Sequence, residues 1–236
     1  MITKTKTTLH SLPYVLYLDW IAANALAEAI GIGAAAFIAV MVGVGGVATL
    51  HPLLVLVLVV LGGALIEGTL VGLLQGLALG RWVDVRRWTL YTTLGVAVAW
   101  TIGMLPSTII DLTMTASASP LDASSTAPIE LSPTVTLLLA FGMGLVLGPF
   151  IGVPQWRILR KTGMPAAWRW IPANMLAWGV GMTLIFASMD FMPTALTAWE
   201  TGLWGALVGA VTGGVVGLLH GWLLIELTAH SPLLIR

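Results

Sequence analysis

Six stretches of this chain, at residues 20–42, 53–79, 88–105, 134–159, 168–187 and 203–224, are long and almost wholly apolar. Each reaches the roughly 18–20 residues that cross about 30 Å of hydrocarbon at 1.5 Å per residue. Lipid offers no partner to a backbone N–H or C=O. A spanning segment must therefore be a helix or belong to a closed barrel, and no barrel-like alternation is present. Six helices are predicted. Composition agrees, with 58% hydrophobic residues, 8% charged residues and a mean hydropathy of +0.99, against about 25% charged in soluble domains. A water-soluble globule, a disordered tail and a basic nucleic-acid binder are excluded. The lack of cysteine removes disulfides, thiolate metal sites and a Cys nucleophile.

Basic residues set the orientation. Lys4 and Lys6, then Arg81, Arg86 and Arg87, then Arg157, Arg160, Lys161 and Arg169, and finally Arg236, all fall on one side of a six-span chain. Lys and Arg in short loops mark the cytoplasmic face, so both termini are predicted inside. The other side carries Asp111, Asp122, Glu130, Asp190 and Glu200. The net charge of zero thus conceals a strong asymmetry between the faces. Residues 1–19 read as a retained cytoplasmic segment, and 9–19, with Tyr14 and Tyr17, are expected along the interface. Residues 106–133, rich in Ser, Thr, Ala and Pro, are expected to form a flexible extracytoplasmic loop.

The chain repeats itself. The even spans share G-x-x-x-G-x-x-[QH]-x-x-x-L, written G-T-L-V-G-L-L-Q-G-L-A-L from Gly68, G-P-F-I-G-V-P-Q-W-R-I-L from Gly148 and G-G-V-V-G-L-L-H-G-W-L-L from Gly213. The odd spans carry W-I-A-A-N-A-L-A from Trp20, W-I-P-A-N-M-L-A from Trp170 and the degenerate W-T-L-Y-T-T-L-G from Trp88. The expected fold is an all-α membrane protein of three parallel two-helix repeats, at 20–83, 84–162 and 163–227, with a cytoplasmic tail at 228–236. Because a two-helix unit returns to its starting side, the pseudo-threefold axis lies along the membrane normal, unlike that of inverted-repeat transporters.

Glycines at a spacing of four share one helix face and let backbones approach closely in lipid. Gly68, Gly72, Gly76 and Gly80 mark span two, and Gly144, Gly148 and Gly152 mark span four. Span six carries Gly205, Gly209, Gly213, Gly217 and Gly221. Packing within the chain is the first reading of these stripes. A homo-oligomer or another membrane protein as partner is the alternative.

The run G-P-F-I-G-V-P-Q-W-R-I-L-R-K from Gly148, followed by A-A-W-R-W-I-P-A-N-M-L-A-W-G, resembles a group of uncharacterised multi-pass bacterial membrane proteins. The resemblance covers about 35 residues and implies a bacterial inner-membrane protein with repeat architecture. It implies no activity. Span six departs from the pattern with His220 in the Gln place, and span two has Gly76 in the Trp place.

Ionisable residues inside a membrane are functional leads because they are costly there. Glu28 lies about 12 Å along its helix from Trp20, and Glu67 about 21 Å from Arg81, so both fall near the midplane. Two carboxylates in low dielectric cannot both ionise cheaply, an arrangement that suits proton exchange or cation binding. Asn24, Gln75 and His220 could add ligands. Glu28 aligns with Val96 and Trp178, and Glu67 with Leu147 and Thr212, so the acidic pair belongs to one repeat alone. A neutral, hydrogen-bonded structural acid is the competing reading. Gln75, Gln155 and His220 recur at one position of the even spans and suggest a polar ring or interhelical hydrogen bonds. The eleven Trp, Trp82, Trp88, Trp156, Trp168 and Trp170 among them, are expected mainly in an interfacial belt, beside basic turns suited to anionic lipid. His10, His51, His220 and His230 are scattered. Without a metal-ligand spacing, G-x-S-x-G or P-loop, no enzyme, metal or cofactor is expected. The first reading is a non-enzymatic accessory or assembly subunit, and the alternative is a small proton- or cation-coupled transporter or channel that uses Glu28 and Glu67.

Overall fold

The computed structural model describes residues 7–44, 51–117 and 131–229. These form α1 (Thr7–Val44), α2 (Pro52–Gly63), a π-helical turn (Ala64–Gly68), α3 (Thr69–Ala78), α4 (Val85–Ser117), α5 (Pro133–Lys161), a 3-10 turn (Ala167–Arg169), α6 (Trp170–Met189) and α7 (Ala198–Ala229). No strand occurs among the described residues. Six segments are long and apolar enough to cross a membrane: Tyr14–Met41, Pro52–Ala78, Val85–Thr113, Pro133–Lys161, Ala167–Met189 and Ala198–Thr228. Their outward faces expose large apolar side chains such as Leu65, Leu77, Leu138 and Leu207, as lipid contact requires. The chain is a multi-pass membrane protein.

Local chemistry sets the helix ends. Ser132 caps α5, its hydroxyl accepting from Val135 N at 3.4 Å, with Pro133 in the first turn. Asp84 caps α4 by accepting from Arg87 N at 3.0 Å. The α5–α6 turn uses Gly163 at φ 76°, in the left-handed region that glycine enters freely. Thr197 and Glu200 open α7 with a reciprocal capping box. The Thr197 backbone N–H donates to Glu200 Oε2 at 2.8 Å, and Glu200 N–H donates to Thr197 Oγ1 at 3.3 Å.

Residues 9–19 are helical and continuous with the rest of α1. Two expectations change. The expected loop at 106–133 is helical as far as Ser117, with Pro106 inside α4. Beside that proline the Ser107 and Thr108 hydroxyls both donate to the Met104 carbonyl, at 2.9 Å each, the kind of local adjustment by which membrane helices accommodate proline. Span two is interrupted by the π turn that carries Glu67. Lys4, Lys6, Asp122, Glu130, His230 and Arg236 lie outside the described residues.

The spans form a ring in chain order: α1 against the α2–α3 span, that span against α4, α4 against α5, α5 against α6, α6 against α7, and α7 back against α1. Extensive and slighter contacts alternate around it. The extensive ones join the α2–α3 span to α4, α5 to α6, and α7 to α1. The glycine stripes lie in these three seams. A Cβ on Gly72 would stand 2.7 Å from Thr89 Cα, and one on Gly148 would stand 2.6 Å from Met175 Cα. Likewise, a Cβ on Gly217 would stand 3.0 Å from Ile21 Cα. Gly80 differs, being exposed and meeting chiefly its own helical turn. At the end bearing the arginines, the bundle is solid. Leu16, Leu79, Val83, Leu159, Leu224 and Leu227 pack there beneath Trp20, Trp88 and Trp170.

Candidate functional site

Going from the basic end towards the acidic end, each odd span presents one residue per turn to the ring axis. The first layer is Trp20, Trp88 and Trp170, all fully buried. Their rings meet edge to face with centroids 5.7–6.4 Å apart. Each indole N–H donates to the recurrent polar residue of an even span: Trp20 to His220 Nδ1 at 2.9 Å, Trp88 to Gln75 Oε1 at 3.3 Å, and Trp170 to Gln155 Oε1 at 2.9 Å. These three tryptophans are therefore core residues and not part of an interfacial belt. A buried indole needs an acceptor, and the even spans supply it. Trp168, by contrast, is exposed, while Trp82 and Trp156 pack against the core with Arg81 and Arg160 over their rings.

One turn further lies the second layer, Asn24, Thr92 and Asn174. Asn24 Nδ2 donates to the Trp20 carbonyl at 2.7 Å, and Asn174 Nδ2 donates to that of Trp170 at 2.9 Å. Gln75 Nε2 donates to Asn24 Oδ1 at 2.9 Å. Gln155 Nε2 reaches both Gln75 Oε1 at 2.9 Å and Thr92 Oγ1 at 3.0 Å. A buried polar network thus touches all six spans and closes the bundle's centre on the basic side.

The third layer is open. Glu28, Val96 and Trp178 form the inner end of a cavity of about 400 Å³. Its walls come from five of the six spans and run about 16 Å along α6, from Trp178 to the exposed Met189. Glu28 and Glu67 both line it. Glu28 stands 14 residues from Tyr14 and 13 from Met41, at the middle of its apolar segment. Glu67 lies 15 residues from Pro52 and 11 from Ala78.

Glycine makes room for both acids. A Cβ on Gly213 would stand 2.7 Å from Glu28 Cγ, and one on Gly209 would collide with the Glu28 carbonyl. A Cβ on Gly31 would stand 2.8 Å from Glu67 Cγ. Trp100 lines the same cavity as Glu67. Glu28 is 1% exposed, and its Oε2 has no hydrogen-bond partner. A buried polar atom in that state costs about 1–3 kcal/mol, more if charged, and calls for an explanation. The π turn at Glu67 is a second departure from regular structure at the same place, and such turns recur at functional sites.

The expected site residues therefore separate into two groups. Glu28 and Glu67 share the cavity, whereas Asn24, Gln75 and His220 do not line it and instead form the network beneath it. The aromatic and thioether walls, among them Trp100, Trp178, Phe186, Met143 and Met182, escaped sequence reasoning. An apolar side chain in an all-apolar span carries no mark of which way it faces. No group of three or more His, Asp or Glu suited to a metal ion occurs among the described residues. No family model matches the chain, and neither curated proteins nor solved structures show a significant match.

Proposed function

We propose that the chain is a small cation- or proton-linked transporter or channel of the bacterial inner membrane, with both termini cytoplasmic and its cavity open to the extracytoplasmic side. The observation that carries this reading is that Glu28 and Glu67 line one mid-membrane cavity, with Glu28 Oε2 buried and unpartnered beside it. A carboxyl held there without a partner is a group waiting for a proton or a cation. Orientation follows from the basic turns.

The architecture is proposed to be a pseudo-threefold ring whose unit is an even span with the odd span that follows it. Spans six and one make the third unit across the chain ends. The support is that Trp20, Trp88 and Trp170 donate to His220, Gln75 and Gln155 in turn, and that each glycine stripe packs in the corresponding seam. An accessory role mediated by glycine faces is less favoured, because those faces meet spans of the same chain.

The test is flux in proteoliposomes under a pH or monovalent-cation gradient. Flux that Glu28→Gln and Glu67→Gln each abolish, in variants that retain the parent melting temperature, supports the reading. Flux that neither change alters, or no flux under any gradient, refutes it.

A further inference from the structure

We propose that the cavity takes a lipophilic organic cation, an alkyl- or aryl-substituted ammonium or phosphonium, with its charge on Glu28 and Glu67. This rests on the reading of those acids as a cation site and adds the identity of the ligand.

A proton or a bare metal ion needs only a few ångströms, and a hydrated ion needs polar walls to replace its water shell. The two acids could serve either, but neither accounts for the volume and apolar walls of this cavity. Its volume of about 400 Å³ lies within the range of small-molecule sites, ~300–1,000 Å³. Beyond the two carboxyls the walls are almost entirely hydrocarbon, indole, phenyl and thioether. Each part suits one portion of such a ligand. Trp100, Trp178 and Phe186 are among the lining residues, and the negative face of an aromatic ring attracts a positive charge. Met143 and Met182 are unbranched and polarisable, and adapt to apolar groups of different shape. Glu28, which lines the closed end, supplies a counter-charge there. The layer of amides and tryptophans beneath blocks further passage towards the basic side, so the ligand enters and leaves past Met189.

Equilibrium dialysis of the full chain in detergent micelles against radiolabelled tetraphenylphosphonium tests this, with protein-free micelles subtracted. Triphenylphosphine oxide serves as a neutral probe of similar shape. The expected result is saturable binding of the cation, at least about tenfold tighter than that of the oxide. Glu28→Gln should weaken it about tenfold or more, Glu28→Asp much less, and Trp178→Leu several-fold. The proposal is overturned if the oxide binds as well as the cation, or if Glu28→Gln binds like the parent. It is also overturned if silver ion binds through the thioethers while the phosphonium does not. If the phosphonium fails to bind yet Glu28-dependent proton or sodium flux is present, the ligand assignment falls and the transport reading stands. Absence of both removes both. The comparison of cation with neutral probe needs no variant, so a misfolded substitution cannot shield the proposal.

Discussion

Two Gly→Ala substitutions in α5, Gly148→Ala and Gly142→Ala, should have opposite signs. A Cβ at Gly142 meets nothing within 4 Å. Alanine there restricts the unfolded chain without a clash and should stabilise by about 0.4–1 kcal/mol. At Gly148 the added carbon would stand 2.6 Å from Met175 Cα and 2.7 Å from both Asn174 O and Met175 N. These are backbone atoms that no rotamer change can move. Carbon contacts need about 3.5–4.0 Å, so α5 and α6 would have to part by about 1 Å. The same seam is held on either side by Gly144 against Trp178 and Gly152 against Ile171. Overpacking of this kind costs about 1–3 kcal/mol. The two variants should therefore differ by roughly 1.5–4 kcal/mol. SDS titration of the protein in mixed micelles, followed by far-UV circular dichroism, reads that difference as a shift of the unfolding midpoint. Equal midpoints would refute the argument that α5 and α6 meet backbone to backbone at Gly148.

Other outcomes follow from the layers and the ends. Trp170→Phe removes the indole donor to Gln155 Oε1 and should cost about 1–3 kcal/mol in the same titration. Trp88→Phe should cost less, because Gln75 Oε1 keeps the donation from Gln155; the reverse ranking would contradict the network. Thr197→Ala breaks the α7 capping box and should lower stability by about 0.5–2 kcal/mol, measurable by the same midpoint. Since the chain has no cysteine, single cysteines report topology directly. In intact cells a membrane-impermeant maleimide should label Thr194→Cys and spare Pro165→Cys until the cells are opened, and the opposite pattern would invert the proposed orientation.

Six spans were legible because continuous apolarity has one outcome in lipid, and both ends of spans two, four and five fell within about two residues of the helix ends. Span three was cut short at Leu105 because Pro106 and the Ser and Thr that follow resemble a loop by composition. The helix runs on because α4 still carries Ile109 and Ile110, both exposed on its outer face. The π turn left no trace, since Glu67 marks the place by its charge but nothing in Ala64–Gly68 encodes a wider turn. For the site, the two acids were legible by their cost, but their shared cavity was not. The recurrent Gln and His and the recurrent Trp were both visible as motifs. Pairing them required knowing that even spans pack on the odd spans that follow, which no residue type encodes. Abundant Trp in a membrane chain suggests an interfacial belt, and only the third dimension separates Trp170 from Trp168.

The seam between α1 and α7 has a consequence for biosynthesis. Glu28 leaves the ribosome about 180 residues before Gly209 and Gly213, the glycines that seat it. At ~5–20 residues per second, the first span must wait roughly 10–35 s for the last. During that interval a carboxyl group sits at mid-bilayer without its pocket, and an unfinished chain is chemically distinguishable from a finished one. A chain truncated before Ala198 is accordingly expected to be cleared faster than the full protein, and Glu28→Leu should lengthen its life. Pulse-chase half-lives of the truncated chain that are indifferent to Glu28 would show that cells do not read the unclosed ring in this way.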